Sequence, residues 1–132
     1  MKAKLFPALL ALVCAVPPNA GFAAPGLPVL EGQCTRSTIA SIGERLVDGS
    51  NNQPIAGSGS SVAFADGLVQ LGYDELPQIA RSRIGDPVLI CLVLLPKDCP
   101  AGDDRGHVFT TTNLRLLESW TLANSEHGCG GA

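Results

Sequence analysis

The sequence predicts an all-β domain, a small antiparallel barrel or sandwich of five to six strands tied by disulfides. Three observations carry that reading. Asp66-Gly67 lies between two short apolar stretches, which is the mark of a hairpin. Val88 to Leu95 is a continuous apolar run closed by Pro96, which reads as a strand. Beyond the N-terminal leader the cysteines are even in number: Cys34, Cys91, Cys99 and Cys129.

The leader occupies residues 1–23. Lys2 and Lys4 form a positive start, Leu5 to Val16 is an uncharged apolar run, and Pro17-Pro18 breaks it. Gly21-Phe22-Ala23 then places small residues where a signal peptidase cuts, so the exported chain is expected to begin at Ala24. The run is too short for a membrane span, which needs about 20 apolar residues. Cys14 lies inside the apolar run behind a poor lipobox and leaves with the peptide. Residues 24–132 make a single small β domain, and loss of Lys2 and Lys4 takes the formal charge from −3 to −5. The remaining basic residues are scattered, which argues against nucleic acid as a partner. No later segment spans or lies on a membrane.

From Ala24 to Gly32 the chain carries Pro25, Gly26 and Pro28 and reads as an extended lead-in. Cys34 to Val47 supports two readings. Ile39, Ile42 and Leu46 have helical spacing, but the Ser and Thr content and Gly43 favour a strand with an irregularity at Gly43. Asp48 to Ser61 is a polar loop whose glycines, with no Lys or helix start after them, read as a flexible connector and not a phosphate cradle. The hairpin follows. A two-residue type I′ turn at Asp66-Gly67 sets Phe64 opposite Val69 and Val62 opposite Leu71 on the core face, with Ala63 and Gln70 on the other.

Tyr73 to Arg83 is a loop or a short helical turn, and Gly85-Asp86 turns into the run from Pro87 to Leu95. Its unbroken apolar character predicts a strand covered on both faces, with charges and prolines guarding its ends. Lys97 to Gly106 is a loop, and Val108–Thr112 with Ser119–Leu122 forms a second hairpin. Leu116-Leu117 is poor tight-turn chemistry, so a brief helix there is an alternative. No internal repeat is visible.

Two bridges are expected of an exported domain of this size. The second hairpin brings the loop before His107 toward the segment after Glu126, which pairs Cys99 with Cys129 and leaves Cys34 for Cys91. The rival pairing, Cys91–Cys99 with Cys34–Cys129, needs a tight reversal at Pro96. A zinc site built from these cysteines with His107 and His127 lacks the tight Cys-x2-Cys spacing that such sites show.

Much of the exported part, from Gly85-Asp86-Pro87 through Cys99-Pro100 and Ser119-Trp120-Thr121-Leu122 to Cys129-Gly130-Gly131-Ala132, resembles a group of short exported bacterial proteins of no known activity. The resemblance implies export, to a Gram-negative periplasm or beyond the cell, and implies no reaction.

The chemistry left open is modest. Asp103 and Asp104, with Asp98 and Asp86, supply oxygen ligands of the kind calcium takes, but no Asp-x-Asp-x-Asp-Gly pattern is present, and Arg105 offsets the charge. No motif points to a cofactor or a metal. His107 with Asp103 or Asp104 is a candidate general-base pair for a small hydrolase. Trp120, amid polar neighbours, is either core or an interface anchor. The leading expectation is a binding or inhibitory module facing an envelope or extracellular protein. It would act through Asp103, Asp104, Arg105 and Trp120 and through the loops Asp48–Ser61 and Lys97–Gly106. Small periplasmic lysozyme inhibitors share that architecture but not any motif seen here. The alternatives are the hydrolase and an envelope protein with no discrete ligand.

Overall fold

The structure, a computed structural model, describes residues 26–131. The leader, its cleavage before Ala24 and the departure of Cys14 lie outside the described residues. Six strands and one short helix follow in order: β1 Cys34–Glu44, β2 Ser60–Phe64, β3 Val69–Gly72, α1 Pro77–Ala80, β4 Pro87–Leu94, β5 Val108–Asn113 and β6 Glu118–Ala123. They close into an antiparallel barrel in the order β1-β2-β3-β6-β5-β4, so the fold is all-β and disulfide-tied as the sequence predicts, and of the barrel and the sandwich it is the barrel.

The barrel is two three-stranded meanders joined through α1. One seam, β1 against β4, runs from Cys34↔Cys91 to Thr38↔Pro87, whereas the other, β3 against β6, has the single pair Leu71↔Ala123. Closure removes the free sheet edges that would template aggregation. It also leaves the sheet one apolar face, directed inward. In β4 the inward residues Val88, Ile90 and Leu92 are fully buried, while Leu89 and Cys91 are half-buried and Val93 and Leu94 are exposed. The expectation that this strand is covered on both faces is therefore corrected, because among the described residues its outward face stays partly or fully exposed.

Two further details of register differ from the sequence reading. Cys34–Glu44 is a strand, but its irregularity falls between Ile39 and Ser41, and Gly43 pairs regularly with Ser61. The strand exchanges partners there, from β4 to β2, and a bulge supplies the bend that the exchange requires. In the first hairpin, Phe64 N donates to Leu68 O at 2.9 Å and Gly67 N to Phe64 O at 3.0 Å. The loop is thus the three residues Ala65, Asp66 and Gly67, and only Gly67 takes the left-handed conformation, with φ +90°. A type I turn followed by a left-handed glycine accounts for it. The pairing becomes Ala63↔Val69 and Val62↔Gln70. One residue of register reverses the faces of β3. Leu68 and Gln70 point inward, and Val69 turns outward.

The second hairpin closes through Leu114–Leu117 without a strong turn dipeptide. Asn113, fully buried, accepts from the backbone N–H groups of Arg115 at 2.9 Å and Leu116 at 3.2 Å, and Leu117 adopts φ +56°. The cysteines pair as Cys34–Cys91 and Cys99–Cys129.

Candidate functional site

The loop the sequence singles out is tied to its own neighbours. Arg105 donates to Asp103 through Nε at 2.8 Å and Nη2 at 2.7 Å, and Gly130 N donates to the same carboxylate at 3.1 Å. These contacts, Arg105 foremost, hold the Asp103 carboxyl well below the usual carboxylate range. Asn124 accepts from Gly106 N and donates to Asp104 O, and the Cys99–Cys129 bridge ties the loop to the C-terminal segment. Asp104 and Arg105 are exposed. The His107 ring lies 6.5 Å from that of Phe109 and, among the described residues, hydrogen-bonds to neither Asp103 nor Asp104. The four cysteines among the described residues are spent in bridges, so they present no thiolate to a metal.

Trp120 occupies the core position the sequence also allowed, at 4% exposure. Its Nε1 donates to Gln70 Oε1 at 2.9 Å, beside a second donation from Thr111 Oγ1 at 2.7 Å. Gln70 Nε2 in turn donates to the carbonyls of Phe109 and Leu122. Every polar atom of the buried amide is used, which is the condition for tolerating it inside a barrel. A second cluster closes the other end of β5. Asp86 receives Arg115 Nε at 2.6 Å and Nη2 at 2.8 Å, Asn113 Nδ2 at 2.8 Å and Arg83 N at 2.9 Å. The Arg115 guanidinium, against the opposing effect of burial, sets this carboxyl well below its ordinary range. Both clusters spend their buried side-chain groups, Gln70 and Asp86 foremost, on internal hydrogen bonds.

A concavity lies elsewhere, beside α1. It encloses about 530 Å³. Ile42 and Glu44 of β1 with Gly59 and Ser60 form one wall; Glu75, Leu76, Pro77, Ile79 and Ala80 form another; Pro54 reaches in from the preceding loop. Its construction follows from a few residues. Pro77 starts α1, where a missing N–H costs nothing. Ile79, 2% exposed, roots the helix in the core, while Pro77 and Ala80 stay exposed. Ser60 Oγ donates to Asp74 O at 2.9 Å and accepts from Leu76 N at 2.8 Å, fastening the approach to α1 against β2. Arg81 reaches Glu118 at 2.7 Å and so holds the far side of the helix to β6.

Gly59 sets the depth of the groove. It has φ +119°, and a Cβ there would stand 2.1 Å from Gly72 O, so no other residue lets the chain pass so close to the end of β3. The stretch read as a flexible connector is in fact tethered. Arg45 Nε donates to Ser58 O at 2.7 Å, Leu46 N to Ser58 Oγ at 3.0 Å, and Val47 bridges Pro54. Arg45 also lies 4.4 Å over the Tyr73 ring and pairs with Glu126. The sequence reading missed this groove. Its one local signal is Leu76-Pro77 followed by Ile79, an apolar pair at one-turn spacing around a helix-starting proline.

The chain matches no protein-family model, no curated protein and no solved structure.

Proposed function

We propose that the protein is an exported binding module that presents the groove beside α1 to a protein partner of the cell envelope or exterior. The observation that carries this reading is the groove itself, a preformed and mostly apolar concavity of about 530 Å³ on a rigid disulfide-tied barrel. Its lining draws on the Asp48–Ser61 loop through Pro54, Gly59 and Ser60. The two bridges suit an oxidising compartment, and no helix among the described residues is long and apolar enough to cross a membrane. A hydrolase built on His107 has less support, since Asp103 is committed to Arg105 and Gly130, and neither His107 nor Asp103 lines the groove.

The test compares the residues 24–132 chain with single variants in capture from an envelope fraction. Ala80 is exposed and lines the groove, so Ala80→Trp should fill it while leaving the fold intact. Capture is expected to drop at least tenfold in Ala80→Trp and to persist in His107→Ala and His127→Ala. Capture that is indifferent to Ala80→Trp would refute the groove as the binding surface. A turnover activity abolished by His107→Ala in folded protein would refute the binding reading altogether.

A further inference from the structure

The same groove carries a statement about what it takes, which rests on the binding reading above. Its apolar lining includes Ile42, Leu76 and Ile79, and its only charged lining residues are Glu44 and Glu75. They come from different walls, one at the end of β1 and the other before α1. Among the described residues no basic side chain lines the groove, and neither glutamate is in an ion pair. Glu44 has only a long 3.5 Å contact from Ser58 Oγ, and Glu75 is exposed.

The neighbouring cations are held away from both. Arg45 is spent on Glu126 at 2.5 Å and on Ser58 O, and Arg81 on Glu118. An apolar trough bounded by two uncompensated carboxylates complements a ligand with an apolar body and a positive charge beside it. A negative or neutral one would forgo the charge term. We infer that the groove takes a basic, apolar peptide segment of a partner protein. One aliphatic or aromatic side chain sits over Ile42, Leu76 and Ile79, and a neighbouring Lys or Arg reaches Glu44 and Glu75. The reach of a peptide explains the open form, since such a segment lays its backbone along the rim while only its side chains enter.

Three pools of capped hexapeptides test this. Each randomises aliphatic and aromatic residues at four positions and fixes Lys, Gln or Glu at the other two. Binding is read from methyl chemical shifts of Ile42, Leu76 and Ile79 in the folded chain. The Lys pool is expected to move these methyls at roughly tenfold lower concentration than the Gln pool, the ratio that two exposed ion pairs supply, and the Glu pool to need more than either. In the Glu44→Gln, Glu75→Gln double variant, the Lys and Gln pools should become equal, and 0.5 M salt should narrow the gap in the wild type. If all three pools move the methyls equally, the charge preference is wrong and the groove remains a binding site. If no pool moves them, both the preference and the groove reading fall.

Discussion

Asp86 shows how much one residue carries. It is 6% exposed, and its carboxylate joins the turn at Arg83, the end of β5 through Asn113, and Arg115. Arg115 holds its pKa below the ordinary value. A carboxyl depressed by folding contributes stability that is complete above the unfolded pKa of about 3.9 and is lost as pH falls through the folded value. The urea midpoint should therefore decline with acidification below about pH 4, and less steeply in Asp86→Asn than in the wild type. At neutral pH the same variant should lose about 2–3 kcal/mol, because the amide keeps one acceptor oxygen and sets an NH2 donor against the Arg115 and Asn113 donors that the second oxygen received. Equal pH slopes in the two proteins would contradict this account. The sequence marks Asp86 as a turn residue after Gly85 and as a neighbour of the acidic loop, not as a partner of Asn113 and Arg115. Its partners Asn113 and Arg115 stand far along the chain, so their meeting is a product of the β4–β5 pairing.

At the scale of elements, the β3–β6 seam is the place where the barrel is thinnest in backbone pairing. The ladder there has one register pair, and the Gln70 side chain supplies what the ladder lacks by donating to Phe109 O at 2.7 Å and Leu122 O at 3.1 Å. Gln70→Ala should cost about 3 kcal/mol, from the cavity together with the Trp120 indole N–H and the Thr111 hydroxyl left without their acceptor. Trp120→Phe, which removes one donor and keeps most of the ring, should cost less. Amide exchange should quicken at Leu71 and Ala123 in Gln70→Ala, while the β1–β4 amides stay protected. A uniform rise across the barrel would show that the seam is not a separate unit. The hairpin itself is legible as Asp66-Gly67, but its register is not. The dipeptide serves both a two-residue and a three-residue loop, and the choice places either Gln70 or Val69 in the barrel. An interior that offers Trp120, Thr111 and the carbonyls of Phe109 and Leu122 satisfies a glutamine, whereas no local preference announces that in advance.

For the whole molecule, closure and cross-linking act together. Cys34–Cys91 spans 57 residues and fastens the β1–β4 seam, while Cys99–Cys129 spans 30 and anchors the Lys97–Gly106 loop to the C-terminal segment. Each bridge restricts the unfolded chain and is expected to stabilise the fold by about 3–4 kcal/mol. Paired alanine substitutions at either bridge should lower the melting temperature, and a Cys34→Ala, Cys91→Ala protein melting with the wild type would disprove this. By itself the sequence determines the all-β class, both hairpins and the favoured cysteine pairing. These rest on local turn chemistry, on apolar runs of strand length and on hairpin geometry, each contained within a few dozen residues. Tertiary structure alone decided that the sheet closes with a single apolar face, that Trp120 and Gln70 share the interior, and that Glu44, Glu75 and Ile79 line one groove. The groove residues lie on separate segments, and none carries a local preference for the others. They meet because a barrel that buries its apolar face must bring the end of β1 against the approach to α1, a demand of long-range packing that no local pattern expresses.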